Sequence, residues 1–234
     1  MKPGTINPES LKIVRDKIHN ACENVGRNVD EVQIVAVTKT FGIEAINSAL
    51  DFGISFIGEN KVQEVEQKIP MIQNLSNIEI HFIGHLQSNK VRKVLQLVNV
   101  IETIDSIKLA KRVNNISEEL NKMTEIFLQI NAANDPAKIG FQKSEILEVA
   151  SQISQFKNIK ISGIMTVPPQ SKDMNLLKTT FNATRKFRDK IQSTINGNCK
   201  SLSMGMSGDF ETAIECGATH IRLGTILFGK RVYN

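Results

Sequence analysis

Lys39 directly follows the apolar run that ends at Val37-Thr38, so its amine leaves a hydrophobic wall. An amine in that position is partly desolvated, which lowers its pKa and frees the lone pair to attack an aldehyde. A second pattern lies far downstream. Ser203-Met204-Gly205-Met206-Ser207-Gly208-Asp209 is a small-residue segment that leads into a helix, and Gly224-Thr225 adds another glycine turn with a hydroxyl. The start of a helix offers N–H groups and a positive dipole end, which suits a phosphate. Arg222, in the strand just before that turn, adds a permanent cation.

These residues need a scaffold that brings distant segments to one place. Short apolar runs occur at Gln33–Thr38, Ser55–Gly58, Ile78–Gly84, Val98–Thr103, Glu125–Asn131, Lys160–Val167, Lys200–Ser203 and Thr219–Leu223, eight in all. Amphipathic helices alternate with them, striped for example by Leu109, Val113, Ile116 and Leu120, or by Leu177, Phe181, Thr184, Ile191 and Ile195. An opening helix precedes the first strand, capped by Asn7 with Pro8 and Glu9 in its first turn and striped by Leu11, Val14, Ile18, Cys22 and Val25. Alternating strands and helices imply a parallel sheet. Eight strands, and no glycine-rich fingerprint after the first, favour a closed barrel over an open nucleotide-binding sheet. The expectation is an α/β fold, a single (β/α)8 TIM-type barrel over residues 1–234 with an extra N-terminal helix. Its functional face is then the C-terminal ends of the strands. Lys39, Glu59, Asn60, Gly84, His85, Gln87, Asn131, Met165, Thr166, Ser203, Arg222, Gly224 and Thr225 all fall there. An amine nucleophile, a phosphate cradle and a cation between them match pyridoxal 5'-phosphate. Its aldehyde would meet Lys39, its phosphate Ser207, Gly224 and Thr225, and its ring nitrogen Arg222. Met165 and Met204 are candidates for the pocket floor against the ring, with core packing as the alternative.

Composition removes other classes. The 234 residues carry a net charge of +5, but basic residues are scattered and there is no Trp and one Tyr, so a nucleic-acid partner is not expected. The densest basic group, Lys90, Arg92 and Lys93, reads as a solvated face of a helix starting near Ser88. No stretch approaches the roughly 18 apolar residues of a membrane span, and Met1–Asn20 lacks a signal-peptide core. Cys22, Cys199 and Cys216 are far apart and in no metal-binding spacing, which suggests reduced thiols and a cytoplasmic setting. His81 and His85 have no neighbouring Cys, and a strand end does not bring an i, i+4 pair together as a helix would, so no metal is expected.

Several segments carry a family resemblance. They are Val35-Ala36-Val37-Thr38-Lys39-Thr40, Ile57-Gly58-Glu59-Asn60-Lys61-Val62-Gln63-Glu64 and His81 through Lys90. Further along come Gly163-Ile164-Met165-Thr166-Val167-Pro168, Leu202 through Asp209, Ile221 through Thr225 and Phe228-Gly229-Lys230-Arg231. In this order the chain resembles the pyridoxal phosphate homeostasis proteins, which are similar to the barrel domain of alanine racemases. The resemblance implies a Schiff base on Lys39, Arg222 at the ring nitrogen, phosphate contacts from Ser207, Gly224 and Thr225, and Asn60 near the cofactor. His81 and Ser203, within the matching segments, are counted with the cofactor pocket. Ile80 and His85 stand where the family pattern commonly has Trp and Pro, beside the cofactor's open side, and Ala137 replaces the serine before Lys138.

Two functions compete on this site. A racemase needs an acid/base group on each face of the substrate carbon. Alanine racemases supply one as a tyrosine from a second domain, whereas the one tyrosine here is Tyr233. Arg222 would also keep the ring nitrogen unprotonated and weaken the electron sink. A non-catalytic, monomeric protein that buffers pyridoxal phosphate and delivers it to apoenzymes, in vitamin B6 homeostasis, is therefore the expectation. A racemase-type amino-acid enzyme is the alternative.

Overall fold

The computed structural model describes residues 4–73, 75–195 and 197–229, so Lys230, Arg231 and Tyr233 lie outside the described residues. Asn7 opens the first helix, α1 (Pro8–Glu23), by accepting hydrogen bonds from the N–H groups of Glu9 and Ser10. Such a cap satisfies donors that the first turn leaves without partners. Leu11, Val14, Ile18 and Cys22 are buried along one face, while Val25 falls past the helix end and is exposed.

Eight strands follow: β1 (Gln33–Val37), β2 (Phe56–Glu59), β3 (Glu79–Phe82), β4 (Val100–Ile104), β5 (Thr124–Gln129), β6 (Ile159–Met165), β7 (Ser201–Met206) and β8 (His220–Leu223). Each pairs in parallel with the next, and β8 pairs with β1, so the sheet closes into a barrel with no edge. The connections are α2 (Ile43–Asp51), α3 (Val62–Lys68), α4 (Val91–Leu95), α5 (Ile107–Glu119), α6 (Ile146–Ile153), α7 (Met174–Thr194) and α8 (Phe210–Glu215), with α9 (Thr225–Phe228) after β8. α1 packs on α8 and α9. This is the expected barrel with its additional N-terminal helix. The helix expected near Ser88 begins as a 3₁₀ turn, Ser88–Lys90, that runs into α4. Arg92 and Lys93 on it are exposed and pair with Glu119 and Glu66, as a solvated face does. Among the described residues no helix is long and apolar enough to cross a membrane.

Strand side chains alternate between the two faces of the sheet. The face toward the helices carries the main core, where Ile57, Phe82, Ile126, Ile164, Leu202 and Leu223 meet Val65, Leu109 and Phe181. The inward face is built differently. Val100, Phe127 and Met165 form a small apolar cluster there. The rings of Phe56, His81, Phe127 and His220 pack around it, with centroids from 5.6 to 6.1 Å apart.

This alternation corrects two sequence expectations. Met204 is not a pocket-floor residue: one step from the inward Ser203, it faces the helices in the core shared with Leu202 and Phe210. Met165 does lie inside the barrel. Ile80 likewise belongs to the helix-facing core and does not reach the barrel mouth. β7 also runs past the expected end at Ser203, because after a register shift Met206 still pairs with Arg222. The shift passes through Gly205 at φ +93°, where an added Cβ would stand 2.6 Å from the Ala213 Cβ. Only glycine meets both demands at low cost.

Candidate functional site at the barrel mouth

Lys39 follows β1 in phase with Val35 and Val37, whose side chains lie within 3.6 Å of a Cβ placed on the inward Gly58. That phase directs Lys39 to the inner side of the C-terminal mouth. The ladder continues one residue past β1, since Thr38 N donates to Gly58 O at 3.2 Å. Thr40 then turns the chain in the left-handed region at φ +70°. Asn60 follows β2, and Gly84 follows β3 so closely that a Cβ on it would stand 2.0 Å from Asn60 O. The side chain of Asn60 carries a buried Oδ1 for which no hydrogen-bond partner exists among the described residues. A buried acceptor of this kind is costly unless something donates to it.

Below the mouth a chain of polar groups runs along the barrel axis. Arg222 Nη2 donates to Thr166 O at 2.8 Å and Nη1 to Ser203 Oγ at 2.7 Å. Ser203 Oγ donates to Glu102 Oε2 at 2.5 Å, and Glu102 Oε1 bonds His81 Nδ1 at 2.6 Å. His81 Nε2 completes the chain with Glu79 Oε1 at 3.0 Å. Burial alone would strip the His81 proton, but the hydrogen bonds to Glu102 and Glu79 prevail and push its pKa up to about 9. Burial would likewise raise Glu102, yet His81 and Arg222 hold it down to about 2. His220, buried beside the charged His81, is pushed down to about 4 and stays neutral. The axis therefore alternates carboxylate, imidazolium, carboxylate and guanidinium, which compensates every buried charge.

Glu102 was invisible as a site residue in the sequence. An acid inside the apolar strand Val100-Ile101-Glu102-Thr103-Ile104 is its only local signal, and it matters because a buried carboxylate demands a cation. His81 is corrected by the same geometry: it lies beneath the mouth, fully buried, and is linked to Arg222 through Glu102 and Ser203.

The loops after β7 and β8 converge. With β7 reaching Met206, the connection to α8 shrinks to Ser207–Asp209, and Asp209 Oδ1 accepts from Met206 N at 2.6 Å. Ile226 N donates to Ser207 Oγ at 3.4 Å, which places this loop beside the Gly224-Thr225 turn. A Cβ on Gly224 would lie 3.4 Å from Val37 O, so the turn abuts the strand that carries Lys39. Lys39, Asn60, Arg222, Ser207, Gly224 and Thr225 are thus brought to one end of the barrel. On the rim beside Asn60 a pocket of about 200 Å³ is lined by Lys61, His85, Gln87 and Lys90, and His85 Nδ1 stands 3.3 Å from Asp105 Oδ2. The loop after β5 is folded by Asn131, which bonds Asp135 through both its amide atoms. Among the described residues no group of three or more His, Cys, Asp or Glu could hold a metal ion.

A family model described as "Alanine racemase, N-terminal domain" matches residues 13–232. The chain is 41% identical over 201 residues to a pyridoxal phosphate homeostasis protein of Synechocystis, covering 86% of this chain and 92% of that one. Among solved structures, a protein of unknown role from Bifidobacterium adolescentis superposes with TM-score 0.89 at 33% identity, covering 93% of this chain and 92% of that one. PipY of Synechococcus elongatus, solved with pyridoxal phosphate bound, superposes with TM-score 0.79 at 31% identity, covering 91% of this chain and all of that one (100%). Together with the parallel barrel, these matches settle the family: the chain belongs to the pyridoxal phosphate homeostasis proteins.

Proposed function

We propose that the chain holds pyridoxal 5'-phosphate at the barrel mouth as a Schiff base on Lys39, and that storing and delivering the cofactor is its function. The observation that carries the reading is the meeting of three needs at one opening. They are an amine at the end of β1, the buried Asn60 Oδ1 that has no hydrogen-bond partner among the described residues, and the paired loops at Ser207 and Gly224-Thr225. Pyridoxal phosphate supplies an aldehyde that an amine captures reversibly, together with a phosphate that seeks N–H and O–H donors. The Lys39 nitrogen bonds the aldehyde carbon, the carbonyl oxygen leaves as water, and addition of water reverses the step. Ser207, Gly224 and Thr225 hold the phosphate. Arg222, fixed by Ser203 and Thr166, would meet the ring nitrogen, and Met165 would serve as the floor beneath the ring.

The homeostasis name of the relatives and the bound cofactor in PipY support this reading. A guanidinium beside the ring nitrogen disfavours its protonation, and with it the carbanion chemistry of an amino-acid enzyme. The whole chain serves as one cofactor-holding barrel, acting as a monomer in the cytoplasm with apoenzymes as recipients. Its three cysteines, all buried free thiols, fit a reducing compartment.

Borohydride reduction of the cofactor-loaded protein followed by peptide mapping tests the reading. The label is expected on Lys39, and a label on Lys61, Lys90 or Lys138 in its place would overturn the assignment. Sustained conversion of an amino acid that Lys39→Ala abolishes would establish the enzyme alternative.

A further inference from the structure

The two residues that flank Lys39 are anchored on the far side of the strand from the mouth. Thr38 Oγ1 donates to Glu59 Oε1 at 2.6 Å. Lys68 Nζ, reaching back from α3, donates to Thr38 O at 3.0 Å, to Glu59 Oε1 at 2.8 Å and to Glu64 Oε2 at 2.6 Å. The same Glu64 Oε2 accepts from Thr40 N at 2.7 Å. An ammonium has three N–H groups, and Lys68 uses one of them on the backbone next to Lys39. The side chains of Lys68, Glu59 and Glu64 are 8%, 0% and 14% exposed. Burial raises the pKa of Glu59, whereas Lys68 and the Thr40 N–H hold Glu64 low against its own burial.

A buried ionic cluster is an expensive way to attach a helix, because apolar packing of equal volume does as well or better. Its cost calls for another role, and the backbone it grips suggests one. Thr40 sits at φ +70°, a region that a β-branched residue enters only when its surroundings force it. The bond from Thr40 N to a carboxylate is such a force. With Thr38 fixed through both its side chain and its carbonyl, and Thr40 fixed through its N–H, the direction in which Lys39 leaves the backbone is determined.

We propose that Glu59, Lys68 and Glu64 are positioning residues that set the backbone of Thr38–Thr40 and thereby aim the Lys39 amine at the barrel mouth. The proposal rests on the reading that Lys39 captures an aldehyde there. Capture needs the nitrogen lone pair placed in line with the carbonyl carbon, and small misplacements are costly to such steps.

The test separates aim from fold by comparing two ligands on the full chain. Pyridoxal 5'-phosphate can bond Lys39, whereas pyridoxine 5'-phosphate has the same ring and phosphate but an alcohol in place of the aldehyde. Lys68→Met would leave Glu59 buried without its cation and risks misfolding, so the informative variants are at the partly exposed Glu64. Glu64→Ala is expected to weaken pyridoxal phosphate binding about tenfold, the scale of one charge-assisted hydrogen bond. It should also reduce the visible absorbance of the lysine-bound cofactor, while pyridoxine phosphate affinity stays within about twofold. Glu64→Gln still offers Thr40 N an oxygen and should recover most of the loss. If both ligands weaken in parallel, or neither changes, the cluster does not aim Lys39 and the proposal fails while the cofactor site stands. If the wild-type protein shows no lysine-bound absorbance at all, the site reading falls, and this proposal with it.

Discussion

The axis of the barrel and its rim are both polar, but they are polar in opposite ways. Along the axis Glu79, His81, Glu102, Ser203 and Arg222 are joined by consecutive hydrogen bonds of 2.5 to 3.0 Å, and opposite charges alternate. At the rim, Asn60 Oδ1 is buried without a donor among the described residues. A saturated network stabilises one geometry because every member is compensated. An incomplete one leaves binding capacity for a ligand at a cost in stability. The difference assigns tasks: the axis holds Arg222 in place, and the rim receives what comes to it. Substitutions on the axis should therefore appear first as lost stability, and substitutions at the rim as lost binding.

The sharpest way to break this contrast is Glu102→Leu. It leaves His81 and Arg222 buried without the carboxylate between them and takes the acceptor from Ser203. Removing one partner from a buried charge network costs about 3–5 kcal/mol, measurable as a lowered urea midpoint. A loss below about 1 kcal/mol, the size of a surface ion pair, would mean that the axis is not the stabilising element.

A weaker lever is pH, and it acts through the two axial histidines with opposite sign. His81 has a folded pKa of about 9, above its ordinary 6.5, so its contribution is full below pH 6.5 and is lost as pH rises through 9. His220, at about 4 in the fold, lets the unfolded chain gain a proton first, so stability also falls as pH drops from 6.5 to 4. Glu102, held near 2, adds a further loss as pH falls below its ordinary 4.5. Stability should peak near pH 6.5 and fall by a few kcal/mol on each side, since every tenfold change in a group's proton affinity on folding is worth about 1.4 kcal/mol. His220→Asn should flatten the acidic limb between 6.5 and 4 alone. Urea melts across this range that show one monotonic slope would contradict the charge pattern.

Much of this was legible in the sequence, for a definite reason. Strand ends follow apolar runs, so Lys39, Asn60 and Gly224-Thr225 reveal themselves as polar or glycine residues just past such a run, while Arg222 stands out as a cation inside the last strand. What faces inward within a strand was harder. In Ser201-Leu202-Ser203-Met204 the small polar residues turn into the barrel and the apolar ones toward the helices, so residue chemistry alone does not separate the core Met204 from Met165, which lies inside the barrel. The extension of β7 to Met206 depends on pairing with β8, which no local pattern announces. Glu102 and Ser203 lie 101 residues apart in the chain, and only the closed barrel makes them neighbours.

The smallest expected effect falls on the rim, where it sharpens the contrast by running against the usual direction. Asn60→Ala should leave the cofactor-free protein as stable as the wild type or raise its stability by up to about 1 kcal/mol, because it removes a buried acceptor that no group among the described residues compensates. Most substitutions of a partly buried residue destabilise, so even a neutral result would carry information. The same variant should bind pyridoxal phosphate about tenfold more weakly, since the ligand loses the oxygen that its donor would meet. Thermal melts with and without the cofactor read both effects in one experiment. The variant should melt at or slightly above the wild type when cofactor-free, and the upward shift on adding cofactor should shrink, following the logarithm of ligand concentration over Kd. If Asn60→Ala instead melts well below the wild type with unchanged cofactor affinity, then Asn60 is a structural residue and the rim is as saturated as the axis.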